Sequence, residues 1–207
     1  MIAALYVQTD GCCFDIPDVD PYDQHRDARF YRGPHPVIAH PPCKRWGRYW
    51  SGGPSAKKRF ELGDDNGCFA YALRHVREYG GVLEHPADSL AWSYFGLHKP
   101  PRSGGWVVAD EFGGWTCCVY QIFYGHRAQK ATWLYACKTD LPSLHWGKPK
   151  QGSGIRHPDG YHSAEERREA KKYKTRGVRE RLSKRQRAAT PIEFRDLLID
   201  IAKSANQ

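Results

Sequence analysis

No apolar run in this chain approaches the ~20 residues that a bilayer-crossing helix needs, so no membrane span is expected. Met1 leads straight into the strand-like Ile2 to Val7, without a charged-then-apolar leader, which points to the cytoplasm and to reduced thiols. Metal-site spacing is missing as well. Cys12-Cys13 and Cys117-Cys118 are adjacent pairs rather than about two to four residues apart, so with His40 and His85 they make a poor zinc set and no metal is expected. The seven cysteines are an odd number, as a reduced set allows. No internal repeat breaks the chain into units.

What the chain does have is positive charge. Thirty-two Lys and Arg against 23 Asp and Glu give a net +9, which favours a polyanionic partner, nucleic acid above all. The charge is uneven: residues 1–30 lean acidic, whereas 165–187 are dominated by Arg and Lys. Seven Trp and twelve Tyr suit base stacking and ordinary cores alike. At 207 residues, with 40% hydrophobic content, one substantial core is expected. The expected division is a compact α/β domain over 1–147, followed by a basic linker and C-terminal helices over 148–207.

Strand and helix signals alternate, which argues for an α/β layer. Ile2 to Val7 and Pro36 to Ala39 are buried-strand runs, and Gln8 to Asp27 is loop-like. Lys44 to Ser55 mixes cations, aromatics and glycines and is expected to be a mobile surface loop. Asp64 to Tyr79 is the clearest helix, with Asp64 or Asp65 as cap and Gly80-Gly81 as stop. Gly81 to Leu83 forms a strand ending in Glu84-His85-Pro86. Cys117 to Phe123 and Thr132 to Lys138 form two more strands, and Thr190-Pro191 opens a last amphipathic helix carrying Ile192, Phe194, Leu197, Leu198 and Ile201.

Two strand ends carry reactive groups. Pro36-Val37-Ile38-Ala39 stops at His40-Pro41-Pro42-Cys43, since proline lacks an amide hydrogen and fixes its backbone angle. Cys43 on that rigid loop is a candidate nucleophile, or a small buried hydrophobe. Glu84 ends the next strand, and the helix between them sets the two strands side by side with both tips on one rim. A thiol and an acid so placed suit attack on an electron-poor ring, the acid hydrogen-bonding a ring nitrogen as charge develops. His40 or His85 would assist proton transfer.

Pro41-Pro42-Cys43 followed by Glu84-His85-Pro86 resembles the DNA cytosine-5 methyltransferases. Tyr124 to Lys130 resembles that family's tyrosine-glycine loop, and Arg181-Leu182-Ser183 its later Arg-x-Leu-Thr segment. The resemblance implies a mostly parallel, Rossmann-like methyltransferase-type sheet and a DNA partner. It also implies that Cys43 attacks carbon 6 of a flipped-out pyrimidine while Glu84 holds the pyrimidine edge. Pro42, Arg45, His85, Arg127 and Lys130 would contact the base or its phosphates, assisted by the basic tail.

The family's glutamate tripeptide is usually Glu-Asn-Val, and its Gln-x-Arg-x-Arg order is not reproduced here. The resemblance further implies S-adenosylmethionine, but Gln8 to Phe14 holds one glycine and no Gly-x-Gly turn. Asp20 is the candidate for the ribose-binding acid, yet the stretch before it is too short for a full crossover of about 10–12 residues plus a second strand. The expected sheet is therefore truncated in its N-terminal, cofactor-binding half. Three alternatives stand beside methyl transfer: another DNA-base modification through the same adduct, a DNA-binding relative without chemistry, and a cysteine hydrolase built on Cys43. The size, charge and partial motif set also fit a phage-encoded modification enzyme acting in the host cytoplasm.

Overall fold

The computed structural model describes residues 1–53, 56–150, 164–173 and 182–205. Its strands are β1 (Ile2–Leu5), β2 (Val19–Tyr22), β3 (Val37–Ala39), β4 (Gly81–Pro86), β5 (Val107–Val108), β6 (Gly114–Tyr120) and β7 (Ala131–Cys137). The α-helices are α1 (Cys68–Tyr79), α2 (Leu90–Tyr94), α3 (Ala164–Lys172), α4 (Lys184–Ala188) and α5 (Ile192–Lys203). The fold is α/β, with one seven-stranded sheet in the order β2-β1-β3-β4-β7-β6-β5.

The sheet is mixed, which corrects the expectation of a mostly parallel one. β2, β1, β3 and β4 pair in parallel, whereas β4–β7, β7–β6 and β6–β5 are antiparallel. The cause is local: β6 returns into β7 through a short turn around Gly125, and a short connection can only join antiparallel strands. Since β7 opposes both β4 and β6, β6 runs the same way as β4. The carboxyl ends of β1, β3, β4 and β6 thus share one rim.

Strand alternation divides the core into two layers. Ala3, Leu5, Val37, Ala39 and Leu83 face one side, where α1 covers them with Phe69, Ala72, Leu73 and Val76. Ile2, Ala4, Ile38 and Val82 face the other, where α5 covers them with Phe194, Leu198, Ile201 and Ala202. Burial of side chains this size stabilises by roughly 1.5–3 kcal/mol each. The body of the fold therefore extends past residue 147 to include α5. Ile192, expected on the apolar side of that helix, is 59% exposed. The stripe that packs runs 194, 198, 201, and position 192 falls off it at 3.6 residues per turn.

β1 and β2 are parallel, yet the chain between them forms no helix. That link instead lays Cys12, Cys13 and Ile16 against the α5 layer. β2 itself was illegible in the sequence because it reads Val-Asp-Pro-Tyr. It tolerates Pro21 as an edge strand, which can spare an amide hydrogen.

α1 starts at Cys68, later than expected, after Gly67 in a left-handed conformation. Asp65 nevertheless serves the helix start: its Oδ2 accepts from Phe69 N at 3.0 Å and from Trp46 Nε1 at 2.8 Å. Trp46 is 2% exposed, so the loop after Cys43 is anchored in the core rather than mobile throughout. At the other end of α1, Gly81 has φ +124, and a Cβ there would lie 1.9 Å from Val37 O. Only glycine lets β4 approach β3 so closely.

Among the described residues no helix is long and apolar enough to cross a membrane. The linker expected up to Tyr161 lies outside the described residues from 151 on, as do Arg181 and 174–180 of the basic stretch. Within that stretch the described parts are α3 and α4, the latter opened by a Ser183–Gln186 capping box.

Candidate active site

β3 and β4 set the site's frame. Ala39 pairs with Leu83, so His40, one residue further, stands level with Glu84. The backbone N–H of His40 still donates to Leu5 O at 3.0 Å, which keeps it in the ladder. β4 runs through Pro86 rather than stopping at Leu83, and Glu84 and His85 pair with Leu134 and Trp133 of β7. This longer strand has a decisive consequence. Consecutive residues point to opposite faces, so Glu84 and His85 cannot share one pocket.

His85 lies in the α1 layer, 1% exposed, against Phe69 at 5.2 Å and stacked on Trp92 at 6.3 Å. Burial lowers it to about 4, so it is a neutral core histidine at pH 7. The contact to base or phosphate expected of His85 is therefore not what this geometry offers.

Glu84 points to the α5 face, half-buried at the rim. His40 just past β3, Gln121 opening the 3-10 turn just past β6, and Thr132 of β7 lie toward the same face, and they meet. His40 Nδ1 lies 3.3 Å from Glu84 Oε2. Gln121 Nε2 donates to Glu84 Oε1 at 3.0 Å and to Thr132 Oγ1 at 3.0 Å. Burial opposes ionisation of Glu84, but the hydrogen bond and charge of His40, with Lys130 behind them, outweigh it and hold the carboxyl below its ordinary range.

Cys43 sits at the end of the same rim beyond Pro41-Pro42 and is exposed. Partial enclosure by the protein and then the negative charge of Glu84 push its thiol above its ordinary value, while Lys130 pulls the other way. Lys130 is the shared cation. Burial lowers its ammonium, and Glu84, Cys43 and Cys12 each oppose that. Its Nζ donates to Ala189 O at 3.0 Å and Ala188 O at 3.4 Å, tying the exit of α4 to the rim.

The other expected contacts are spread differently. Pro42 is exposed beside Cys43, and Arg127 is exposed on the turn between β6 and β7. Arg45 is 9% exposed: its guanidinium lies 3.3 Å from the Phe60 ring centroid and donates to Trp50 O at 3.0 Å. It organises the loop after Cys43, and the solvent-facing cations there are Lys44 and Arg48. Asp20 is held by Arg26 at 2.5 and 3.2 Å, in an exposed ion pair at the end of the sheet away from Glu84.

Three residues of this neighbourhood carried no functional signal in the sequence. Gln121 and Thr132 are fully buried and act only through strand pairing, which no motif encodes. Cys12 is brought to the rim by the helix-free link. A hydrogen bond from Cys13 holds its thiol low, against burial and with help from the charge of His40. Among the described residues no group of three His, Cys, Asp or Glu side chains could hold a metal ion. Compared with protein-family models and with curated proteins, the chain matches none.

Proposed function

We propose that this protein modifies a pyrimidine base in DNA, with Cys43 adding covalently to ring carbon 6 of a flipped base and Glu84 securing the pyrimidine edge. The observation that carries this reading is the convergence of an exposed thiol and a half-buried, ionised carboxylate on the carboxyl rim of two adjacent parallel strands. A ring inside a duplex is out of reach of such a rim, so the base must leave the stack. The Cys43 thiol gives up its proton to solvent, the thiolate sulfur forms the bond to carbon 6, and the C5–C6 π pair moves onto carbon 5. Glu84 takes up a proton as the base binds and donates it in a hydrogen bond to ring nitrogen 3, which disperses the charge. Neutralising Glu84 in that contact removes one of the influences that keep the Cys43 thiol protonated, so binding the base and activating the thiol are linked. Lys44, Arg48 and Arg127 supply phosphate contacts, in line with the +9 net charge.

The ribose of S-adenosylmethionine calls for a free acid at the end of β2, but the expected Asp20 lies within that strand and pairs with Arg26. Asp23 accepts from Thr9 Oγ1 at 2.6 Å and from the amides of His25 and Arg26. With both acids engaged, this end of the sheet does not fit the ribose of that cofactor.

A donor-independent experiment tests the adduct. In heavy water, reversible addition of Cys43 to carbon 6 lets carbon 5 of cytosine or uracil take a deuteron. Loss of the original proton and of the thiolate then restores the base. Mass spectrometry of an oligonucleotide should show this exchange with the intact protein and not with Cys43→Ala. A second reading, a DNA-binding protein without chemistry, draws on the raised Cys43 thiol; tight, salt-sensitive DNA binding with no exchange would select it.

A further inference from the structure

We propose that Gln121, locked by Thr132, is a positioning residue that confines the proton Glu84 exchanges to one oxygen, Oε2, the one beside His40. The role in base modification rests on the reading above; the hydrogen-bond assignment does not. Thr132 Oγ1 donates to Lys130 O at 3.2 Å, which leaves its lone pairs to accept from Gln121 Nε2 at 3.0 Å. The same Nε2 then presents its second hydrogen to Glu84 Oε1 at 3.0 Å. Oε1 thereby already accepts a fixed hydrogen bond, which would be weakened by protonation there, so the proton is favoured on Oε2.

The reverse amide orientation is the only competitor, and it is worse. As it stands, Gln121 leaves a single buried acceptor, Oε1, without a partner. Turned over, it would leave two buried N–H donors unpaired and set a carbonyl oxygen against the Glu84 carboxylate. Gln121 is 0% exposed and its own N–H is bound to Lys130 O at 3.1 Å, so the side chain is held at both ends. The proton on Oε2 would come from His40 or from the bound ring, and return there, with no further reactant needed.

The groups that bear on Glu84 from the surrounding elements are His40 on β3, Cys43 beyond it, His85 on its own strand and Lys130 ahead of β7. Against that fixed background the test removes one donor at a time. Glu84 is followed by its carboxyl carbon resonance in protein labelled at glutamate, across pH, for wild type, Gln121→Met, Thr132→Val and Thr132→Ser. Loss of a hydrogen bond to a charged group predicts a roughly tenfold or greater rise in the proton affinity of Glu84 in Gln121→Met. Thr132→Val should give a smaller rise, and Thr132→Ser should restore the wild-type value. Unchanged titration in folded Gln121→Met overturns the assignment; if that variant does not fold, unchanged titration in Thr132→Val does. In the deuterium-exchange reaction, the pH limb belonging to Glu84 should move upward in the same order. Should wild type show no exchange at any pH, the enzymatic reading fails while the titration still decides the role of Gln121.

Discussion

The two halves of the carboxyl rim carry similar residue types and use them in opposite ways. Just past the ends of β1 and β2, Asp23 accepts from Thr9, and Arg26 reaches back to Asp20 within β2, so these groups satisfy one another in pairs. At the ends of β3, β4 and β6, Glu84 is shared among His40, Gln121 and the field of Lys130, and an exposed thiol stands beside it. A closed set of ion pairs holds a loop in place. A carboxylate whose ionisation depends on several weak partners beside a nucleophile can respond to a ligand, because small changes around it shift its proton affinity. The proposed function therefore draws on the β3–β4–β6 half.

That comparison breaks most visibly at Cys43. Cys43→Ala should reduce carbon-5 deuterium exchange to background while leaving salt-sensitive DNA binding in place, as read by mass spectrometry and filter binding. Exchange that survives would move the chemistry elsewhere. Glu84→Gln comes next. It keeps the shape and removes the exchangeable carboxyl proton, and exchange kinetics should slow by about 10²–10⁴-fold, the range for a positioned general acid or base.

His85→Leu tests the same strand on its other face. The folded-state value of about 4 lies below the unfolded value near 6.5, so the unfolded chain binds the extra proton first. The stability this histidine contributes is complete above pH 6.5 and is lost as pH falls toward about 4, a drain on the order of 3 kcal/mol. Chemical denaturation across that window should show a flatter acid slope for His85→Leu, with deuterium exchange retained. Asp20→Ala should do least: an exposed ion pair contributes under about 1 kcal/mol, and a larger fall in thermal stability would mean the β1–β2 half is more than a closed surface.

Much of this was written in short-range signals. Pro41 and Pro42 stop β3 wherever the strand is placed, and the Gly80-Gly81 pair ends α1 and admits β4 to β3. Cys43 stood out for that reason, just past the prolines that end β3, whereas Glu84 lies within β4, which runs on to Pro86. Arg45 and His85 were misread because sequence distance from a nucleophile says nothing about direction. One is turned onto Phe60 and the other into the aromatic layer around Trp92.

The sequence by itself determined the α/β class, the stop of β3 at its prolines, and the excess of positive charge. Each of these follows from local backbone preferences or from composition. Tertiary structure alone decided that the sheet is mixed, that α5 covers one face, and that His40, Gln121 and Thr132 converge on Glu84. These depend on register between strands distant in the chain. A shift of one residue in any pairing would turn every side chain of that strand to the other face.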